Sequence, residues 1–327
     1  MQSPASLKKD VSGLGAAEIA AKLERCVADI GRVVRGQRPV IELLMATVMA
    51  RGHVLLDDVP GVGKTTLARA VASVLGSEFS RVQFTADMLP GDILGVHRPD
   101  PRTGEVAFEP GPIMCELVLA DEINRASPRT QSAMLEAMAE RAVTVDGSRF
   151  PLPSTFTVIA TQNPVEHHGA YPLPESQLDR FMVSLSLGYP DRASERALLE
   201  NPTGPAGELE ALETMFEAGE LEQLSARVEQ VVVSEAVADY VLAIAEATRS
   251  HANILLGVSP RATMALSVLA RSRALFSGRD FVVPDDIKWL VASVFGHRIV
   301  TTGGTGTTRR YQQAILEEIL AQIPVPR

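Results

Sequence analysis

Apolar residues follow two different patterns along the chain, and the pattern changes near residue 190. Before that point, short apolar runs alternate with segments whose apolar residues lie at helical spacing. These runs cover residues 53–56, 82–84, 117–120, 156–160 and 182–185. Strands that alternate with helices pair into a mostly parallel sheet with both faces covered. The first part therefore predicts an α/β domain with a parallel sheet flanked by helices.

The rest of the chain is predicted to be helical. Ile19, Leu23, Val27 and Ile30 lie at helical spacing and predict an amphipathic helix near the N-terminus. We expect a helical extension (1–30), the α/β domain (31–189) and a smaller all-helical domain (190–327). In the last of these, an acidic segment with a leucine stripe (208–222) is typical of a solvated helix, and further helices are predicted over 234–249, 259–275, 284–295 and 309–323.

Composition and charge limit the classes of binding partner and the cellular compartment that we expect. Of 327 residues, 46% are hydrophobic and 22% charged, as in ordinary globular proteins. The formal charge of -9 at pH 7 repels phosphate backbones on average, which disfavours nucleic acid. Glu42, Arg51 and His53 interrupt the most apolar stretch, so no membrane span is predicted. The N-terminus lacks the apolar core of a signal peptide, and the two cysteines form no paired motif; we expect a cytoplasmic protein.

A glycine-rich loop follows the first predicted strand and precedes a helical segment. In such a loop backbone amides turn toward anionic oxygens, Lys64 bridges the β- and γ-phosphates, and Thr65 offers its hydroxyl to Mg²⁺. The pattern G-x-x-x-x-G-K-T departs only at its first position, where Asp58 replaces glycine. This motif predicts ATP and Mg²⁺ as cofactors, and a chance match in an ordinary loop is the alternative. The residues expected to bind nucleotide are Pro60, Gly61, Val62, Gly63, Lys64, Thr65 and Thr66.

Two further predicted strands end in residues that suit nucleotide hydrolysis. Asp121 and Glu122 follow a buried apolar run, and placing two carboxylates there is costly unless they have a task. Asp121 is expected to hold Mg²⁺, and Glu122 to polarise the attacking water as general base. Asn163 follows the next run and would orient that water beside the γ-phosphate. For Asn163, an Asn-Pro turn without a catalytic task is the competing explanation.

These motifs belong to a longer series of sequence blocks. In chain order the blocks are Val33-Val34-Arg35-Gly36-Gln37, Asp58-Val59-Pro60-Gly61-Val62-Gly63-Lys64-Thr65, Gln83-Phe84-Thr85, Leu89-Pro90-Gly91-Asp92-Ile93, Gly111-Pro112-Ile113, Leu119-Ala120-Asp121-Glu122-Ile123-Asn124-Arg125-Ala126, Ala160-Thr161-Gln162-Asn163-Pro164, Tyr171-Pro172-Leu173-Pro174-Glu175, Gln177-Leu178-Asp179-Arg180-Phe181 and Ser259-Pro260-Arg261-Ala262. Over roughly residues 30 to 300 the chain resembles the MoxR family of the AAA+ class, and ordered blocks are far more specific than one motif. The resemblance implies a P-loop AAA+ core followed by a helical lid.

The resemblance also implies roles for two arginines. In such families the subunits form a ring, usually a hexamer, with ATP bound between them. Arg180 corresponds to an arginine finger that reaches the neighbour's γ-phosphate, and Arg261 to a lid sensor that contacts the phosphates of its own subunit. For Arg180, a structural salt bridge with Asp179 or Glu175 is the alternative.

Three other segments resemble functional parts of the family. Gly36 and Gln37 correspond to the segment that packs against adenine. Residues 89–111 match the helix-2 insert, and 141–153 match the hairpin before the sensor strand, with Asp146-Gly147 as its turn. In rings of this kind, the insert and the hairpin face the pore or a partner surface.

The resemblance implies an ATP-driven, chaperone-like remodeller of protein partners, often partners with a von Willebrand A domain, in metal insertion or complex maturation. Two alternatives are the ATPase subunit of a metal chelatase and a nucleic-acid motor, because related rings share this core. The acidic charge and the lack of a basic module argue against the motor. A switch that does not hydrolyse ATP is a third alternative, but Lys64, Asp121, Glu122, Asn163, Arg180 and Arg261 are all present.

Overall fold

The computed structural model describes residues 13–99, 102, 105–163, 171–200, 204–303 and 309–326, so part of the expected N-terminal extension lies outside it. The strands are β1 (Val54–Asp57), β2 (Phe79–Gln83), β3 (Gly95–Pro99), β4 (Val106–Pro110), β5 (Leu117–Asp121), β6 (Ala142–Val145), β7 (Ser148–Pro151), β8 (Thr157–Gln162), β9 (Val183–Leu185), β10 (Ile254–Leu256) and β11 (Val300–Thr301). The helices are α1 (Ala16–Val33), α2 (Arg38–Met49), α3 (Lys64–Leu75), α4 (Pro90–Leu94), α5 (Pro128–Glu140), α6 (Glu175–Leu178), α7 (Arg192–Glu200), α8 (Gly204–Glu210), α9 (Glu220–Gln230), α10 (Glu235–Ser250), α11 (Pro260–Phe276), α12 (Pro284–Phe295) and α13 (Arg309–Gln322).

Five strands form one parallel sheet in the order β2-β5-β8-β1-β9. Strand β1 lies between β8 and β9, and Val54 pairs with both Ile159 and Val183. The five predicted strands are present, which confirms the α/β arrangement, although β2 begins earlier than the predicted run. Because the strands are parallel, all their C-terminal ends meet at one edge, the carboxyl edge, and their N-terminal ends meet at the opposite amino edge.

Both faces of the sheet are buried, as the near-continuous apolar runs require. Side chains alternate between the faces along each strand. Leu55 and Val118 pack in a cluster with side chains of α4, α5 and β6. Val54, Leu56 and Leu119 pack on the other face, in a larger cluster with α1, α2, α3 and the helices beyond residue 190.

Helix α1 is part of the larger cluster. Its side chains Ile19, Leu23, Val27 and Ile30 are at most 2% exposed, and the helix contacts α3 and α11. The predicted apolar stripe is therefore confirmed, and residue 30 lies inside a continuous helix.

The last four predicted helices are present as α10 to α13, together with one short antiparallel pair, β10 and β11. The single solvated helix expected over 208–222 is wrong, because α8 and α9 are separate. Between them the Met215 amide donates to the Val74 carbonyl at 2.8 Å, which turns the chain toward α3. Glu220 is buried and pairs with Lys22 at 3.0 Å. The leucine stripe packs on the core, so tertiary contacts override the helical pattern.

The two cysteines of the chain lie in the protein interior. Cys26 and Cys115 are both unpaired and buried, and burial raises the pKa of their thiols to about 12 and about 11. Cys115 therefore fits the expected role of a small buried apolar residue.

In the described part of the chain, every helix is too short or too polar to cross a bilayer.

Replacing Leu23 by alanine tests whether α1 is part of the core. Leu23 is 0% exposed, so we expect Leu23→Ala to lower the free energy of unfolding by about 2 to 5 kcal/mol, through lost apolar burial and a residual cavity. Leu199→Ala is the matched control, because Leu199 is 85% exposed and its loss should change stability by less than about 0.5 kcal/mol. Urea unfolding of both variants measures the difference, and equal values would contradict the placement of α1.

Buried His53 makes stability depend on pH. Its Nδ1 accepts from the Val158 amide at 3.0 Å and its Nε2–H donates to the Met138 carbonyl at 3.2 Å, so the folded state holds the neutral ring. Burial and the Arg141 charge lower the pKa of His53 from 6.5 to about 3. Between these values the unfolded chain binds a proton that the folded chain does not, so stability is lost as pH falls.

From pH 6.5 to pH 5, this proton uptake by the unfolded chain should reduce the free energy of unfolding by about 2 kcal/mol. His53→Gln should remove this part of the loss. Urea unfolding at the two pH values checks it, and the contribution of His297 cancels because both proteins contain it. A variant whose stability falls as steeply as that of the wild type would refute the assignment.

Candidate active site

The P-loop (residues 58–65) connects β1 to α3 at the carboxyl edge. Gly61 and Gly63 adopt φ values of +81° and +94°, a left-handed region in which side chains are strained. Helix α3 begins at Lys64, so its N-terminal amides and partial positive charge face the loop. The Lys64 ammonium donates to the carbonyls of Asp58 (2.7 Å) and Val59 (3.3 Å). Burial lowers the pKa of Lys64, and the Asp58 and Asp121 carboxylates oppose this effect.

A cavity of about 340 Å³ lies above the loop. It brings together nearly all the residues that the sequence assigned to phosphate, metal and water. The lining residues are Pro60, Gly61, Gly63, Lys64, Thr65, Thr66, Asp121, Glu122 and Asn163. Val62 does not line the cavity, because its side chain packs on the larger core cluster.

The two acids are fixed by a threonine on the neighbouring strand. Ala120 pairs with Ala160, so the next residues, Asp121 and Thr161, lie side by side. The Thr161 hydroxyl donates to Asp121 Oδ1 at 2.6 Å and accepts from the Glu122 amide at 2.8 Å. Glu122 has φ +56°, which directs its side chain away from the strand. One buried hydroxyl therefore positions the Asp121 carboxylate and the main chain of Glu122, and Thr161 is not among the site residues that the sequence predicts.

Two side chains of β2 complete the contacts of the acids. Arg81 Nη2 donates to Asp121 Oδ2 at 2.7 Å, and Gln83 Nε2 donates to Glu122 Oε2 at 2.9 Å. Arg125 also lies 3.3 Å from Glu122 Oε2. Gln83 belongs to a block named above, but its contact depends on the pairing of β2 with β5, which the linear sequence does not reveal.

The donor set of this cavity fits MgATP. Mg²⁺ takes oxygen ligands and is usually bound through one or two protein groups plus phosphate oxygens, and Thr65 and Asp121 supply a hydroxyl and a carboxylate. In the residues that the structure describes, no cluster of three or more His, Cys, Asp or Glu side chains could hold a metal by itself. Thr65 and Asp121 therefore fit a Mg²⁺ ion that is shared with the phosphates of a nucleotide.

Gly36 and Gln37 lie outside the lining of this cavity. Gly36 has φ +74°, and a Cβ added to it would lie 2.9 Å from Ser194 Oγ. Gln37 Nε2 donates to the Leu187 carbonyl at 2.8 Å. Gly36 thus packs against the first turn of α7, and Gln37 binds the segment that leads from β9 into α7.

Arg180 lies at the amino edge of the sheet, opposite the P-loop. Strands β1 and β9 run parallel, and Lys64 follows the C-terminal end of β1 whereas Arg180 precedes the N-terminal end of β9. Arg180 Nη1 donates to the Leu135 carbonyl at 2.8 Å. The ion pairs of Asp179 are with other arginines, so the alternative salt bridge between Asp179 and Arg180 does not form.

Arg261 lies at the same amino edge. It stands in the first turn of α11, its side chain is 60% exposed, and Nη1 is 3.8 Å from Asp179 Oδ2. Buried Arg298 donates to the same carboxylate at 2.8 Å and to the Phe181 carbonyl. Arg261 thus lies beside Asp179 at the start of α11, and its expected contact with the phosphates of its own subunit stays a prediction.

The chain is similar to known proteins over most of its length. Residues 53–183 match the model of the ATPase family associated with various cellular activities (AAA), and residues 246–319 match the AAA lid domain. Chaperone MoxR1 of Mycobacterium tuberculosis is 38% identical over 96% of this chain and 85% of its own length. The uncharacterized protein YeaC of Bacillus subtilis is 44% identical over 93% and 95%, respectively. A crystal structure of a proposed ATPase from Cytophaga hutchinsonii matches with a TM-score of 0.85, 32% identity and coverage of 95% and 97%.

Removing the Thr161 hydroxyl tests how the acids are positioned. Thr161→Val keeps the side-chain shape but leaves the Glu122 amide without its acceptor, so we expect the free energy of unfolding to fall by about 1 to 3 kcal/mol. Thr157→Val is the matched control on the same strand, because the Thr157 hydroxyl only donates to the Thr155 carbonyl at 3.2 Å. Urea unfolding compares the two. Equal stability of the variants would show that the Thr161 contacts are not needed.

Proposed function

Because the chain belongs to the MoxR family of AAA ATPases, we propose that it binds ATP with Mg²⁺ at the P-loop and hydrolyses it to ADP and phosphate. One observation carries this proposal. Lys64, Thr65, Asp121, Glu122 and Asn163 come from three different strand ends and line one cavity. A switch without hydrolysis would not require a glutamate and an asparagine beside the metal-binding groups.

Each group has a role that follows from its position. Lys64 leaves the two P-loop carbonyls to contact phosphate oxygens, while the amides at the start of α3 bind the same anion. Thr65 and Asp121 would hold Mg²⁺, which would neutralise charge on the phosphates. Glu122 accepts a proton from the attacking water, and the Asn163 amide orients that water. Gln83 donates to Glu122 Oε2 and thereby orients the carboxylate that accepts this proton.

The arginines at the amino edge support a ring. Neither Arg180 nor Arg261 lines the cavity that contains Lys64, but both carry the charge and geometry that bind phosphate. In a ring that places one subunit's amino edge against the next subunit's carboxyl edge, Arg180 reaches the nucleotide of a neighbour, and Arg261 stays the expected lid sensor. We therefore propose a homo-oligomer, a hexamer by family resemblance, in which Arg180 acts as the arginine finger.

We further propose a chaperone-like remodeller of protein partners in the cytoplasm, where a reducing environment suits two unpaired cysteines. The helix-2 insert and the hairpin β6–β7 pack together: the rings of Phe108 and Phe150 stack at 3.8 Å, and His97 Nδ1 lies 2.9 Å from Asp146. These two hairpins thus form one surface on which force can act. Partners with a von Willebrand A domain, and metal insertion or complex maturation, are expected from the family resemblance.

A metal-chelatase ATPase subunit is the second candidate, because it uses the same ring core. A nucleic-acid motor is less compatible with a net charge of -9, which repels phosphate backbones.

Hydrolysis shared between subunits predicts a specific complementation result. Lys64→Ala removes the phosphate contact of its own subunit, and Arg180→Ala removes the contact offered to the neighbour. Each variant alone should lose at least about 100-fold in ATP turnover. A mixture should recover part of the activity, because some interfaces then combine an intact Lys64 with an intact Arg180. Steady-state phosphate release at several protein concentrations measures this.

Two controls support that experiment. Glu122→Gln should bind ATP but not turn it over, since an amide cannot accept the proton. Arg196→Ala should behave like the wild type, because Arg196 is 78% exposed and, among the residues that the structure describes, pairs with Glu200 on α7. Failure of the mixture to recover activity, with both variants folded, would disprove the shared site.

A further inference from the structure

The Asp58 carboxylate joins the P-loop to the segment that follows β9. Its Oδ2 accepts from the Gly188 amide at 2.8 Å and from the Ser186 hydroxyl at 3.1 Å. Its Oδ1 accepts from the Val59 amide at 2.9 Å. Asp58 is only 6% exposed, so these contacts are made largely away from water. We call residues 186–188 the junction, because they lead from the sheet into α7.

The main chain of the same residue contacts the phosphate-binding lysine. The Asp58 carbonyl accepts from Lys64 Nζ at 2.7 Å. The junction also receives a bond from the N-terminal part of the chain, since Gln37 Nε2 donates to the Leu187 carbonyl. Asp58 thus contacts both Lys64, which must move to bind phosphate, and the junction, which positions the helices that follow residue 188.

The loop conformation does not explain why aspartate occupies this position. The general pattern has glycine here, but Asp58 is not among the residues with positive φ, so its backbone needs no glycine. A glycine would leave the Gly188 amide and the Ser186 hydroxyl without their acceptor. Buried amides that lose a charged acceptor are costly. Aspartate at position 58 is therefore explained by its carboxylate, which accepts the two bonds from the junction.

We propose that Asp58 is a positioning residue that couples occupancy of the phosphate site to the position of the junction. This inference rests on the proposed ATP binding. When Lys64 exchanges the Asp58 carbonyl for phosphate oxygens, the main chain at residues 58 and 59 loses a donor and settles around the phosphate. The Asp58 carboxylate then holds the junction more firmly. Coupling of this kind is reciprocal, so the junction contacts must strengthen ATP binding by the factor by which ATP protects the junction.

Amide hydrogen exchange and ATP titration test the coupling in the full-length chain. In the wild type, ATP with Mg²⁺ should slow exchange over residues 184–190 by about fivefold. Asp58→Gly should exchange rapidly there with or without ATP, and should bind ATP about fivefold more weakly by calorimetry. Asp58→Asn should restore much of both effects, because its amide oxygen still accepts from the Gly188 amide.

Asp191→Asn is the matched control. Asp191 also lies beyond β9 and accepts from the Ser194 amide at 2.7 Å, but this contact lies within the start of α7. It should keep the ATP-dependent protection of residues 184–190. If Asp58→Gly fails to fold, Ser186→Ala replaces it in the test. Ser186→Ala removes one of the two bonds between Asp58 and the junction, so it should lose part of the ATP-dependent protection.

Two failures can be told apart. A wild type that binds no ATP would overturn the proposed function, and the coupling with it. A wild type that binds ATP without any change over residues 184–190, or an Asp58→Gly variant that retains the protection, would overturn the role of Asp58 and leave ATP binding intact.

Discussion

The pairing of β1 between β8 and β9 in a parallel sheet is the constraint on which the rest of the structure depends. It places the P-loop beside the ends of β5 and β8, because parallel strands present all their C-terminal ends at one edge. Lys64, Asp121 and Asn163 meet there although they are far apart in the sequence. The buried apolar strands hold this arrangement through two clusters, one on each face.

The same arrangement concentrates charge at the carboxyl edge, and neighbouring side chains offset it. Four carboxylates, those of Asp57, Asp58, Asp121 and Glu122, lie near Lys64. Arg81 and Gln83 on the outer strand, and Thr161 on the inner one, satisfy the acids at Asp121 and Glu122. Such acids would be costly to bury alone, so the surrounding donors both stabilise the fold and fix the geometry of the site.

The opposite edge has a complementary organisation. Asp179 receives Arg298 from the helical part and lies 3.8 Å from Arg261, so it joins the sheet to the start of α11. Arg298 is 3% exposed, and burial lowers its pKa, which its bonds to Asp179 oppose. In the proposed head-to-tail ring, this edge of one subunit would face the P-loop edge of the next.

The strands, most helices, the P-loop and the two acids could be predicted from the sequence, because each depends on a short-range pattern: apolar periodicity, glycines in a loop and polar residues directly after a strand. Ordered sequence blocks also supported membership of the MoxR family. Which distant residues meet depends on the tertiary structure. The contacts of Thr161 and Gln83 with the acids depend on strand register, which the sequence of one strand alone does not determine. The break between α8 and α9, the place of Arg261 beside Asp179 and the bond from Gly188 to Asp58 depend on how helices and loops pack on the sheet, where non-local burial and hydrogen bonding outweigh local propensity.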